Sequence, residues 1–139
     1  MSIDERGYAL LARGLTTAPT TGEKNITKPG SGSTITIWDS TANQGEANAG
    51  VGRRIKRLIL VINSSADSGA SGVIFEASED GGANWDASAT AQTYLTANGR
   101  TVYYVSVAGR DHRVRYTNSA AVLTTWRMVL FADFYERAV

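Results

Sequence analysis

From Thr34 onward, apolar and polar residues alternate in one run after another. A repeat of two puts successive side chains on opposite faces of an extended strand, so this pattern commits the chain to β-structure. Thr34-Ile35-Thr36-Ile37-Trp38 is the first run. After a long polar loop at 39–52, Arg54–Asn63 is apolar at nearly every position of its second half. That suits a strand buried on both faces, or one crossing from an exposed to a covered region. Gly72–Ser78 sets Val73, Phe75 and Ala77 on one face against Ile74 and Glu76 on the other. His112–Thr117 sets Val114 and Tyr116 against Arg113 and Arg115. In Leu123–Tyr135, Trp126, Met128, Leu130 and Ala132 share one parity, and the β-branched and aromatic content favours strand over helix.

The runs Gln92–Thr96 and Thr101–Val107 flank Asn98-Gly99. Asn-Gly between two β-rich runs predicts a hairpin closed by a type I′ turn, which needs positive φ at both central residues. About seven strands joined by Gly/Ser/Asn turns, with no convincing internal helix, predict an all-β fold: an antiparallel β-sandwich, jelly-roll or Ig-like, or a small barrel. No second copy of the pattern indicates a blade-type repeat.

Residues 1–33 differ. Ser2 and Glu5 have capping-box spacing ahead of Tyr8, Leu10 and Leu11, which would start a short helix, marginal in isolation. The stretch GLTTAPTTGEKNITKPGSGS holds both prolines and reads as an extended arm or linker. The expected organisation is an N-terminal arm, 1–33, and a sandwich domain, 34–139.

Composition narrows the function classes. The 139 residues are enough for a real core without staples. With no cysteine there are no disulfides, thiolate metal sites or cysteine nucleophile. Fourteen basic and 13 acidic residues leave a formal charge of +1, against a dedicated nucleic-acid binder. No apolar run approaches a membrane span, and MSIDERGYALLARG carries acids where a signal peptide needs bases. Nucleic acid and membrane are therefore not expected partners, and the absence of cysteine suits a reducing cytoplasm.

The sharpest motif is Ser78-Glu79-Asp80-Gly81-Gly82-Ala83-Asn84-Trp85, which fits S-x-D-x-G-x-x-W and resembles the Asp-box hairpin of sialidases and other β proteins. Asp80 can accept bonds from backbone N–H groups in the turn, Gly82 supplies positive φ, and Trp85 packs back on the hairpin. Ser78, Asp80, Gly82 and Trp85 are thus expected to be structural. Glu79, Asp80 and Asp86 are oxygen ligands close in sequence but lack the spacing of a calcium loop, so no metal or other cofactor is expected.

The lone histidine, His112, lies beside Asp111 and reads as a surface residue opening a strand, since no nucleophile elbow accompanies it. Glu76 is a carboxylate in an apolar strand with no nameable catalytic partner, and a solvent or subunit face is expected for it. No catalytic residue is assigned and no enzyme is expected. Two basic clusters remain: Arg53, Arg54, Lys56 and Arg57, and Arg110, Arg113 and Arg115. Each reads either as a charged sheet surface or as a contact for acidic protein surfaces. Arg53, Arg54, Lys56, Arg57, Arg113 and Arg115 are the interface candidates.

The second half, with Ser78–Trp85, the segment TANGRTVYYVSVAGRDHRVRYTNSAA and the closing TTWRMVLF, resembles small β-sandwich virion proteins of tailed bacteriophages. These include head decoration, head-fibre and tail accessory components. The resemblance spans roughly residues 54–134 and implies a structural role without catalytic residues. It also implies assembly on a capsid or tail, and often trimers. The expectation is a capsid decoration protein on the outside of the head, assembled in the host cytoplasm. Its partners would be the major capsid or other virion proteins. A tail or adhesin-type carbohydrate-binding module is the alternative, with Trp38, Tyr94, Tyr103 and Trp126 as candidate sugar platforms.

Overall fold

A computed structural model describes residues 2–3, 9–15, 24–41, 55–93, 95–106 and 111–134. These form ten strands: β1 (Ser2–Ile3), β2 (Ala9–Leu15), β3 (Lys24–Thr27), β4 (Thr34–Asp39), β5 (Ile55–Ser64), β6 (Ser68–Ser78), β7 (Asp86–Thr93), β8 (Thr101–Ser106), β9 (Asp111–Asn118) and β10 (Trp126–Phe134). No helix occurs among the described residues. The large sheet runs β1-β2-β10-β5-β8, with β3 also on β2; the small sheet runs β4-β9-β6-β7. The all-β sandwich follows from the period-two pattern. Its pairings are antiparallel apart from β2 with β3, which is parallel.

The core lies between the sheets, where alternate residues of each strand point inward. Leu58, Leu60, Ile62, Trp126, Met128 and Leu130 of the large sheet meet Ile37, Trp38, Val73, Phe75, Val114 and Tyr116 of the small one. Tyr116 and Trp126 face each other across the layers with ring centroids 5.9 Å apart. In β4 the register shifts between Thr36 and Trp38, and this bulge lets consecutive Ile37 and Trp38 both be buried.

The N-terminal segment corrects one expectation. Ala9–Leu15 is a strand, not a helix, and pairs along β10, with Ala12 opposite Leu130 and Gly14 opposite Met128. Leu11, Ala12 and Ile26 are buried in the core. An isolated two-turn helix gains little, whereas a strand on β10 gains a ladder and a buried face. β2 and β3 are thus strands of the large sheet.

The Asn98-Gly99 turn also differs from its prediction. Its flanking strands do not pair: β7 belongs to the small sheet and β8 to the large one. Asn98 has φ of 60°, while Gly99 is not among the positive-φ residues, so the turn is not type I′. It is held by the β5–β6 connection instead. The Asn98 N–H donates to the Ser64 carbonyl at 2.8 Å, and the Ala97 N–H to Asp67 Oδ1 at 2.7 Å. Ser68 receives the Leu95 N–H on its Oγ and donates its own N–H to the Leu95 carbonyl, both at 2.9 Å. The tight hairpin of this region is β6–β7, closed by the Ser78–Trp85 turn.

Candidate functional site

The outer face of the small sheet carries Arg113 and Arg115, placed there by the alternation of β9. Register sets Glu76 opposite Arg113 and Ile74 opposite Arg115. Glu76 reaches both arginines: Arg113 Nη2 donates to Oε2 at 2.6 Å, and Arg115 Nε donates to Oε1. Its side chain is only 3% exposed, which corrects the expectation of a solvent face. Two guanidinium groups cover the carboxylate and compensate its burial. Arg113 also lies over the Trp85 ring, 4.4 Å from the centroid, tying the stripe to the hairpin turn.

That turn is built from its own side chains. Ser78 Oγ donates to Asp80 Oδ1 at 2.8 Å and accepts the Gly82 N–H at 2.9 Å. Asp80 accepts the Asn84 backbone N–H on Oδ1 at 2.9 Å and its amide on Oδ2 at 2.7 Å. These bonds from Asn84, with the Ser78 hydroxyl, hold the Asp80 carboxyl down at about 2. Gly81 and Gly82 have φ of 74° and 92°, which a residue with a Cβ rarely adopts. Ser78, Asp80, Gly82 and Trp85 therefore meet in one local turn.

His112 corrects a further expectation. It is buried, sharing the inward parity of Val114 and Tyr116. Ser40 fixes the strand start, its N–H donating to the His112 carbonyl and its Oγ accepting the His112 N–H, both at 2.9 Å. His112 lines a groove of about 190 Å³ between the sheets with Phe75, Val105 and Ser106. Among the described residues no group of three His, Asp or Glu side chains is placed to hold a metal ion.

Of the first basic cluster, the described residues Lys56 and Arg57 do not share one face. Arg53 and Arg54 lie outside the described residues, as does Arg110 of the second cluster. Lys56 and Arg57 are adjacent on β5 and so point to opposite faces. Arg57 pairs with Asp133 at 3.1 Å and sits over the Tyr104 ring, 5.5 Å from its centroid. Of the aromatics considered as sugar platforms, Trp38 and Trp126 are buried, Tyr103 packs against the core and Tyr94 lies outside the described residues. Among the described residues the exposed aromatic is Tyr104, at 64%.

Sequence reasoning missed one feature. Register places Ile59, Val61, Val102, Tyr104 and Val129 on the outer face of the large sheet. At one end of this apolar face lies a groove of about 320 Å³, its walls including Val61, Val129, Asn63, Arg100 and Arg127. Both arginines are exposed, and neither has an ion-pair partner among the described residues. They lie far apart in sequence and belong to no motif, so only strand pairing brings them together.

The molecule is thus a two-layer β-sandwich with polar clusters on its outer faces. No protein-family model and no curated protein matches the chain. Among solved structures its fold is similar to that of the PBSX exported protein XepA, with a TM-score of 0.58 at 13% sequence identity. The match covers 99% of this chain and 50% of that one, so this chain spans about half the length of XepA's. At that identity the likeness is one of fold.

Proposed function

We propose that the chain is a structural, non-enzymatic component of a tailed-phage particle. In this reading it is a capsid decoration protein that binds the outside of the head as a homotrimer. Its partners are the major capsid or other virion proteins, and it assembles in the host cytoplasm. The observation that carries the reading is the fold likeness, along nearly the whole chain, to the PBSX exported protein XepA. The polar clusters support it: Glu76 and Asp80 have their oxygens engaged by neighbouring side chains. A lattice of many equivalent sites makes modest affinity per copy sufficient.

The test is protein mass spectrometry of purified particles with electron microscopy of the head. Expected is this chain in lattice-related copy number on the head surface; its absence from purified particles overturns the proposal. Exposed Tyr104 favours one second reading, a tail or adhesin-type sugar-binding module. That reading requires a glycan-array signal that falls on Tyr104→Ala.

A further inference from the structure

We infer that the arginine-flanked groove on the large sheet receives the acidic Ser78–Trp85 turn of a second copy, giving head-to-tail self-association. Three observations lead there.

The first is the state of the charges. Arg113 and Arg115 are engaged by Glu76, and Arg57 by Asp133. Arg100 and Arg127 are exposed beside an apolar floor of Val61 and Val129 with no described acidic partner. A cationic rim around apolar surface fits an acidic protein segment that also excludes water.

The second is the complement. Glu79, Asp80 and Asp86 are exposed at the β6–β7 turn. The bonds from Asn84 and Ser78 hold Asp80 ionised down to about pH 2. They also hold the turn in one conformation, so little order is lost on docking.

The third is placement. Arg100 and Arg127 lie near the starts of β8 and β10, and Asn63 near the end of β5, where the chain crosses to the start of β6. The acidic turn follows the far end of β6, an 11-residue strand. The register shifts between Ser68 and Val73, so β6 advances only along the eight residues Asn118 to Asp111 of β9; at about 3.3 Å per residue, the two features lie roughly 25 Å apart along the strand direction, on different sheets. One copy cannot join them within itself. A two-fold dimer through the groove would oppose like charges, Arg100 and Arg127 against their equivalents. The contact is therefore heterologous and closes into a ring or continues as a filament according to the rotation per copy.

The test uses the full chain and two charge-reversed variants, Arg100→Glu/Arg127→Glu in the groove and Glu79→Lys/Asp86→Lys in the turn. Light scattering measures mass against concentration and salt, and fluorescence of the buried Trp38 and Trp126 confirms folding. The unaltered chain should exceed its 14.8 kDa monomer mass and fall towards it as salt rises. Each variant alone should need more than about tenfold higher concentration to associate. Mixing the two should restore association, because each acidic groove then meets a basic turn. A monomeric unaltered chain, an unaffected variant, or a mixture that stays apart overturns the inference.

A second measurement does not depend on charge reversal. The chain has no cysteine, so Ala83→Cys in the turn and Thr125→Cys beside the groove introduce the sole thiols. Mixed under oxidising conditions they should cross-link turn to groove; disulfides only between identical variants overturn the inference. Particle occupancy, which tests the virion reading, is measured separately, so the two claims fail independently.

Discussion

On the outer face of the small sheet, Arg113 and Arg115 clasp a carboxylate that their own fold supplies. On the outer face of the large sheet, Arg100 and Arg127 flank a groove with no acid of the described chain against them. The residue type is the same, and the difference lies in what the neighbouring strand presents. β6 brings Glu76 opposite Arg113, whereas β5 brings Asn63 opposite Arg127. The small-sheet arginines are thus part of the folded structure, and the large-sheet pair is available for intermolecular contact. Arginine clusters read from sequence do not separate these two cases.

Five substitutions break or sharpen this comparison. The largest effect is expected from Glu76→Ala. It leaves two arginines facing each other over a vacated site and should cost about 3–5 kcal/mol, read from the urea unfolding midpoint. Loss of less than about 1 kcal/mol would show that the clasp contributes little.

Gly14→Ala comes next. A Cβ there would lie 2.2 Å from the Trp126 ring and 2.8 Å from Met128, on the core side of the strands beneath the groove. Overpacking should cost about 1–3 kcal/mol, seen as a lower thermal midpoint.

Asp80→Asn should act through pH. The folded Asp80 carboxyl is held at about 2 against an ordinary 3.8, so its contribution is complete above that ordinary value and is lost as pH falls towards 2. The stability gap between the unaltered chain and the variant should close over that window. A gap that stays constant in acid would place the effect in geometry and not in charge.

The smallest effect belongs to Arg100→Ala and Arg127→Ala. Their stability changes should stay within about 0.5 kcal/mol, while self-association weakens. A stability loss as large as that of Glu76→Ala would remove the distinction between the two faces.

Much of the fold was legible because period-two patterning is local. The strands at Thr34–Asp39, Ile55–Ser64 and Asp111–Asn118 lie within a residue or so of their apolar alternation. The near-continuous apolar run of β5 is explained by a large sheet whose outer face is also apolar, with Ile59 buried on it. The Asp-box turn was legible for the same reason, since Ser78, Asp80 and Gly82 bond within one turn.

What was not legible depends on distant strands. Ala9–Leu15 carries a helix-start signal before it and becomes a strand because β10 offers a ladder. Asn98-Gly99 has the local signature of a hairpin, yet Ser64, Asp67 and Ser68 hold the turn as a bridge between sheets. His112 is the exception: its parity with Val114 is local and already points it into the interior, against the expectation of a surface residue.

By itself, then, the sequence determined that Thr34–Asp39, Ile55–Ser64 and Asp111–Asn118 are extended, and where the Ser78–Trp85 turn bends. Those properties rest on side-chain alternation and on contacts a few residues apart. The tertiary structure alone decided that Glu76 is clasped, and that Arg100 and Arg127 share a groove. Both depend on which strands become neighbours and in what register, and a shift of one residue would turn each of these side chains to the opposite face.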